Sequence, residues 1–158
     1  MHIRATTSAD GESIWAILEP VIRAGETFAL DRDMGREAAL AFWLANEAFV
    51  AEQVGAVVGT YYLRRNLAGG GAHVCNCGYM VSAGASGRGV AREMATHSFE
   101  QARARGYRAM QFNCVVSTNE RAVRLWRSLG FAIIGKAPGG FDHPVHGFVD
   151  SLVMFRDL

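Results

Sequence analysis

Eight consecutive residues, Ser82 to Gly89, are all small except Arg88, and they join two different patterns. Before them, Ala72–Val81 reads as a strand. After them, Val90, Met94, Phe99 and Ala102 recur at helical spacing, and the pattern ends near Gly106. A strand that enters a helix through such a turn is a phosphate cradle in form. Glycine lets the backbone approach an anion closely. The first helical turn carries N–H groups with no internal partner, and the helix dipole adds positive charge there. The bland alternative is a solvated connection. The pattern is not a P-loop, because G-x-x-x-x-G-K-[ST] is absent, and G-x-G-x-x-G is absent too.

The flanking pattern determines the architecture. Ile3–Ala5 reads as a strand. Ser8 or Asp10 can cap a helix through Ile14, Ile17, Leu18, Val21 and Ile22. Gly25 to Phe28 form a loop, and a second helix runs from about Gly35 to Ala45. Ala48–Glu52 and Val54–Leu63 read as a hairpin that turns around Gln53 to Gly55. Met110–Val116 is a strand. Thr118 or Asn119 caps a helix that Gly130 ends. Phe131–Gly135 and Phe148–Phe155 are final strands around a loop with Pro138, Gly139, Gly140 and Pro144. The order β-α-α-β-β-β-α-β-α-β-β predicts an α/β domain, a mixed sheet with helices on both faces. At 158 residues the chain reads as one domain, residues 1–158, able to fold without staples.

Charge is unevenly placed. Residues 1–87 hold six basic and nine acidic side chains, residues 88–127 eight and three, and residues 128–158 two and three. The middle segment, at +5, suits an anion. The net charge of +1 excludes a globally basic nucleic-acid binder. Arg103, Arg105, Arg108, Arg121, Arg124 and Arg127 spread over two helices without interleaved aromatics, so nucleic acid is not an expected partner. No stretch approaches the ~20 apolar residues of a membrane span. Nothing at the N-terminus resembles a signal peptide, and a cytoplasmic location is expected. Cys75, Cys77 and Cys114 read as reduced structural thiols. His143 and His146 lack a third ligand, so no metal is expected.

Two linked motifs resemble the GNAT superfamily of acetyl-CoA-dependent N-acetyltransferases. Ser86-Gly87-Arg88-Gly89-Val90-Ala91 matches [RQ]-x-x-G-x-[GA] except for Ser at its first position. About thirty residues later, Asn119, Ala122, Leu125, Trp126, Gly130 and Phe131 match the second signature. The resemblance implies a mostly antiparallel sheet of six to seven strands, splayed at a central V, with acetyl-CoA as cosubstrate. It implies that the strand ending at Met80, Val81 and Ser82 splays at a bulge and binds the pantetheine arm. Val81 N–H would serve as oxyanion donor. The backbone of Gly87, Arg88, Gly89, Val90, Ala91 and Arg92 would hold the pyrophosphate. Asn119 and Trp126 would lie along the arm. Members often carry Tyr where Trp126 stands, as a general acid, and indole is not a useful one. Members also often dimerise, so a homodimer belongs to the expectation, although the sequence shows no interface.

A narrower resemblance, to the fungal proline-analogue N-acetyltransferases, rests on His73 to Val81, on Phe112-Asn113 and on the Thr118-Asn119 turn. It implies that Asn76 and Asn113 bind and orient the acceptor. Asn is unfavourable in strands by propensity, so two of them want a reason. Glu26, in the loop after the first helix, and His73 are the candidate acceptor-side base or attractant, with a water held by Asn76 as a third. The expected function is acetyl transfer from acetyl-CoA to an amine of a small molecule such as an amino acid. The alternatives are a protein N-terminal or lysine acetyltransferase, and a silent acyl-CoA sensor.

Overall fold

The computed structural model describes residues 1–158. Seven strands form one sheet: β1 (His2–Ala5), β2 (Glu47–Gln53), β3 (Ala56–Arg65), β4 (Val74–Val81), β5 (Ala109–Val116), β6 (Ala132–His143) and β7 (Gly147–Asp157). Their order is β1-β2-β3-β4-β5-β7-β6. Every pairing is antiparallel except β4–β5. Four α-helices flank it: α1 (Gly11–Ala24), α2 (Arg36–Leu44), α3 (Val90–Ala104) and α4 (Glu120–Ser128).

Each sheet face buries one apolar core, as alternation along the strands requires. Tyr62 and Met80 pack with Ile14, Leu18 and Trp43 of α1 and α2. Tyr61, Cys75 and Cys77 pack with Val90, Met94 and Phe99 of α3 and with Trp126 of α4. The buried Trp43 indole donates to Thr60 Oγ1 (2.9 Å), which donates to Phe49 O, so α2 is pinned to the sheet by a satisfied polar chain.

Three local readings need correction. Asp10 stands at the N-cap of α1, as expected, but its side chain does not cap that helix. Thr7 N–H instead donates to the Asp10 carboxylate (2.6 Å), which Arg4 also grips, and a 3₁₀ turn at Ser8–Asp10 leads in. The segment from Lys136 to His143, expected as a loop, continues β6. Its Pro138-Gly139-Gly140 run is a register shift against β7, tolerable because β6 is an edge strand with no neighbour to receive a missing N–H. The hairpin turn is the two-residue Val54-Gly55, with φ of +50° and +77°.

The parallel β4–β5 ladder holds only Val74 with Ala109 and Cys75 with Met110. Beyond those pairs the strands part, each still paired on its outer side, β4 with β3 and β5 with β7. A wedge-shaped gap therefore opens through the middle of the sheet. The expected bulge is present but lies in β5, between Phe112 and Val115, and not in β4.

Candidate active site

The gap is the floor of a cleft of about 540 Å³ that reaches both faces of the sheet. On one face it is lined by Ser86, Asn119, Ala122 and Trp126. On the other it is lined by Phe28, Leu30, Phe42, Tyr62, Arg64 and Asn76. Strand alternation decides which amides face the gap. Ser82 N–H donates to Val58 O of β3 (2.9 Å), so the N–H groups of Val81 and Tyr79 point the other way, into the gap. Met80 turns its backbone to β3 and its side chain into the α1–α2 core. Tyr79, which the sequence did not single out, thus supplies a gap-facing amide.

The turn above the gap takes its shape from glycine. Gly87 has φ +86° and Gly89 φ +85°, values that side chains rarely adopt. Ala83–Ala85 forms a 3₁₀ turn, and Gly89 caps α3. The N–H groups of Val90, Ala91 and Arg92 lie in the first turn, where no helical carbonyl precedes them. Arg121 reaches this loop from α4. Its Nη1 donates to Ser86 Oγ (3.1 Å), and a Cβ at Gly87 would meet its Nη2 at 2.8 Å. Arg88 is exposed, and Arg92 donates to Ser128 Oγ (2.7 Å). Two positive-φ glycines, free helical amides and adjacent guanidinium groups fit a pyrophosphate, and the gap fits an extended arm.

Asn119 Oδ1 accepts from Ala122 N–H (3.3 Å), capping α4 while lining the cleft. Trp126 is buried against Phe112 and Tyr79, at ring separations of 4.9 and 5.2 Å. The Tyr79 hydroxyl pairs with Ser98 Oγ (2.7 Å) beneath α3, and burial raises its pKa well above the usual phenol value. It is therefore withheld from acid–base work in the cleft.

Asn76 sits at the apex of the gap. Its Nδ2 donates to Gln111 O (2.9 Å), the first β5 carbonyl past the broken ladder. Its Oδ1 accepts from Arg64 Nε at 3.3 Å. Asn113, at the β5 bulge, is exposed and lines the cleft. It donates to Asn66 Oδ1 (2.7 Å) and accepts from Gln111 Nε2 (3.0 Å). Glu26 is exposed and is not in the lining, although its neighbour Thr27 is. His73 is far from the gap, in the turn before β4, beside a separate depression with Arg108 and Asp157. Cys75 and Cys77 are core thiols, and burial pushes Cys75 up to about 12. Cys114, by contrast, is exposed in the cleft. His143 Nδ1 accepts from the Val145 and His146 amides, so that histidine closes a turn. No helix is long and apolar enough to cross a membrane.

Residues 15–131 match the family model described as Acetyltransferase (GNAT) family. The chain belongs to the GNAT acetyltransferase family. A solved GCN5-related N-acetyltransferase from Kribbella flavida is 40% identical, with a TM-score of 0.95 over 99% of this chain and 97% of that one. A Salmonella typhimurium protein described as yncA, a putative acetyltransferase solved with its cofactor acetyl-CoA, shares the fold at 23% identity. Its TM-score is 0.88, over 100% of this chain and 94% of that one. The N-acetyltransferase aca1 of Schizosaccharomyces pombe is 31% identical over 98 residues, 61% of this chain and 47% of that protein. That match bears out the fungal resemblance. The chain spans about half or less of the length of the curated relatives it matches. The GNAT fold expectation, a seven-stranded and mostly antiparallel sheet parted at a central V, holds in full.

Proposed function

We propose that this GNAT protein transfers the acetyl group of acetyl-CoA to an amine of a small molecule. The observation that carries the reading is the gap between β4 and β5. It joins an anion-binding loop on one face of the sheet to an apolar pocket on the other.

Acetyl-CoA supplies an activated acetyl carbonyl. The loop amides from Gly87 to Arg92 hold its pyrophosphate, and Arg121 brings to that loop the cation that Ser86 lacks. The gap-facing amides of Tyr79 and Val81 align the arm. The Val81 N–H then donates to the carbonyl oxygen, a fixed dipole aimed where charge develops. Bringing amine and carbonyl together through the gap supplies much of the acceleration. No carboxylate or imidazole lines the cleft, and burial pushes the Tyr62 hydroxyl up. The amine proton therefore leaves to water. A thiol has a pKa near ~8.5, so the departing sulfur needs no acid from Trp126.

The absence of a base from the cleft favours one other reading, a silent acyl-CoA sensor. Incubating the protein with acetyl-CoA and a panel of amines, while following free thiol, separates the two. Amine-dependent thiol release supports the transferase. Saturable CoA binding without release supports the sensor. In either case Arg121→Ala should weaken CoA binding by about tenfold, the loss of one charge-assisted phosphate contact.

A further inference from the structure

Arg64 is the one charged side chain among the 23 residues that line the cleft. It has no acidic partner: the ion pairs of the chain involve Arg4, Arg23, Arg36, Arg105, Arg124, Lys136 and His2. Its guanidinium is nevertheless held in place. It lies 5.3 Å from the centre of the Tyr62 ring, and Nε donates to Asn76 Oδ1 at 3.3 Å. Neither Nη atom makes a hydrogen bond within the chain. Register places Arg64 directly opposite Asn76, and strand alternation puts it on the α1–α2 face with Tyr62, opposite the pyrophosphate loop.

An oriented fork with two free edges in an otherwise uncharged cleft is a carboxylate site. Around it, Phe28, Leu30, Phe42 and Met80 form an apolar wall. No carboxylate lines the cleft to attract a bare ammonium. An acceptor that carries its own anion satisfies the guanidinium and offsets the repulsion. We infer that Arg64 binds the carboxylate of the acceptor, and that the acceptor is an apolar amino acid with its side chain against Phe28, Leu30 and Phe42. Asn76 is then a positioning residue, which orients the Arg64 fork through Nε. The neighbouring guanidinium also lowers the pKa of the bound ammonium, which favours the neutral nucleophile in a cleft with no base. This inference rests on the transferase reading for the identity of the α1–α2 face as the acceptor side.

The test compares apolar amino acids with their carboxamides and with the matching decarboxylated amines, in wild type and in Arg64→Met. Thiol release gives turnover. Calorimetry on the CoA-loaded protein gives binding independently of turnover. The wild type should prefer amino acids by about 10- to 100-fold in kcat/KM, the range of a charge-assisted pair. In Arg64→Met that preference should collapse through KM, with CoA affinity retained and the carboxamides losing far less than the acids. Arg64→Lys should restore part of it, as a point charge without the fork. Turnover that is equal for acids and carboxamides, or an equal loss on all acceptors in Arg64→Met, would overturn the carboxylate site and leave the transferase standing. Arg64-dependent binding of amino acids without turnover would do the reverse. Neither binding nor turnover with any of the acids, carboxamides or amines would remove both.

Discussion

Asn76→Ala should destabilise the protein before any substrate is added. The Asn76 side chain is 5% exposed, and its Nδ2 donates at 2.9 Å to Gln111 O, just past the last β4–β5 ladder pair. Removing it strands a backbone carbonyl at the apex of the gap, where β5 has no strand to receive it. Gln111 is half-buried beside the cleft, where water replaces the lost donor, so the cost is that of a net hydrogen bond, about 1 kcal/mol. At about 2–4 °C per kcal/mol for a chain of this size, the melting temperature should fall by about 2–4 °C. Differential scanning calorimetry of ligand-free protein measures this directly. Amide exchange along β5 should quicken at the same time, because the strand loses its brace. An unchanged melting temperature would refute the reasoning and leave Asn76 with a role toward ligand alone.

Val54 occupies a left-handed position at φ +50° while fully exposed at the β2–β3 turn, so Val54→Asn should stabilise by about 1 kcal/mol and raise the melting temperature accordingly. Asp10 is held well below the usual carboxylate range by its hydrogen bonds from Arg4, with Thr7 adding to them. A depressed folded-state value stabilises above the unfolded value near ~4 and loses that contribution as pH falls toward the folded one. Asp10→Asn should therefore melt lower at neutral pH and show a flatter acid limb in a pH–melting series. Cys75 and Cys77 are buried and Cys114 lines the cleft, so a thiol reagent should titrate one cysteine fast in the native protein. Saturating acetyl-CoA, whose sulfur is blocked toward the reagent, should protect that cysteine, and mass mapping of the labelled peptide would identify it.

The parts readable in sequence were those where one residue type has one physical use. Gly87 and Gly89 had to be glycine because both sit at positive φ, and Asn119 and Gly130 bracket α4 by capping chemistry. The edge strand β6 was hidden, since Pro138-Gly139-Gly140 reads as a loop unless the strand is known to have an unpaired side. Arg64 was hidden for another reason. Next to Arg65 at a strand end it looks like a solvated charge, and only the register with Asn76 and the parting of β4 from β5 bring it into the cleft. Arg121 gave the same difficulty: its place against Ser86 depends on how α4 packs beside the loop, 35 residues away in the chain.

Acetyl transfer through the gap in the sheet is measured by incubating purified protein with isotope-labelled acetyl-CoA and an apolar amino acid, and then weighing the products by mass spectrometry. Labelled N-acetyl amino acid should form in step with free thiol, at a rate that saturates in both substrates. Label left on CoA, with thiol release no faster than in buffer despite saturable CoA binding, would contradict acetyl transfer.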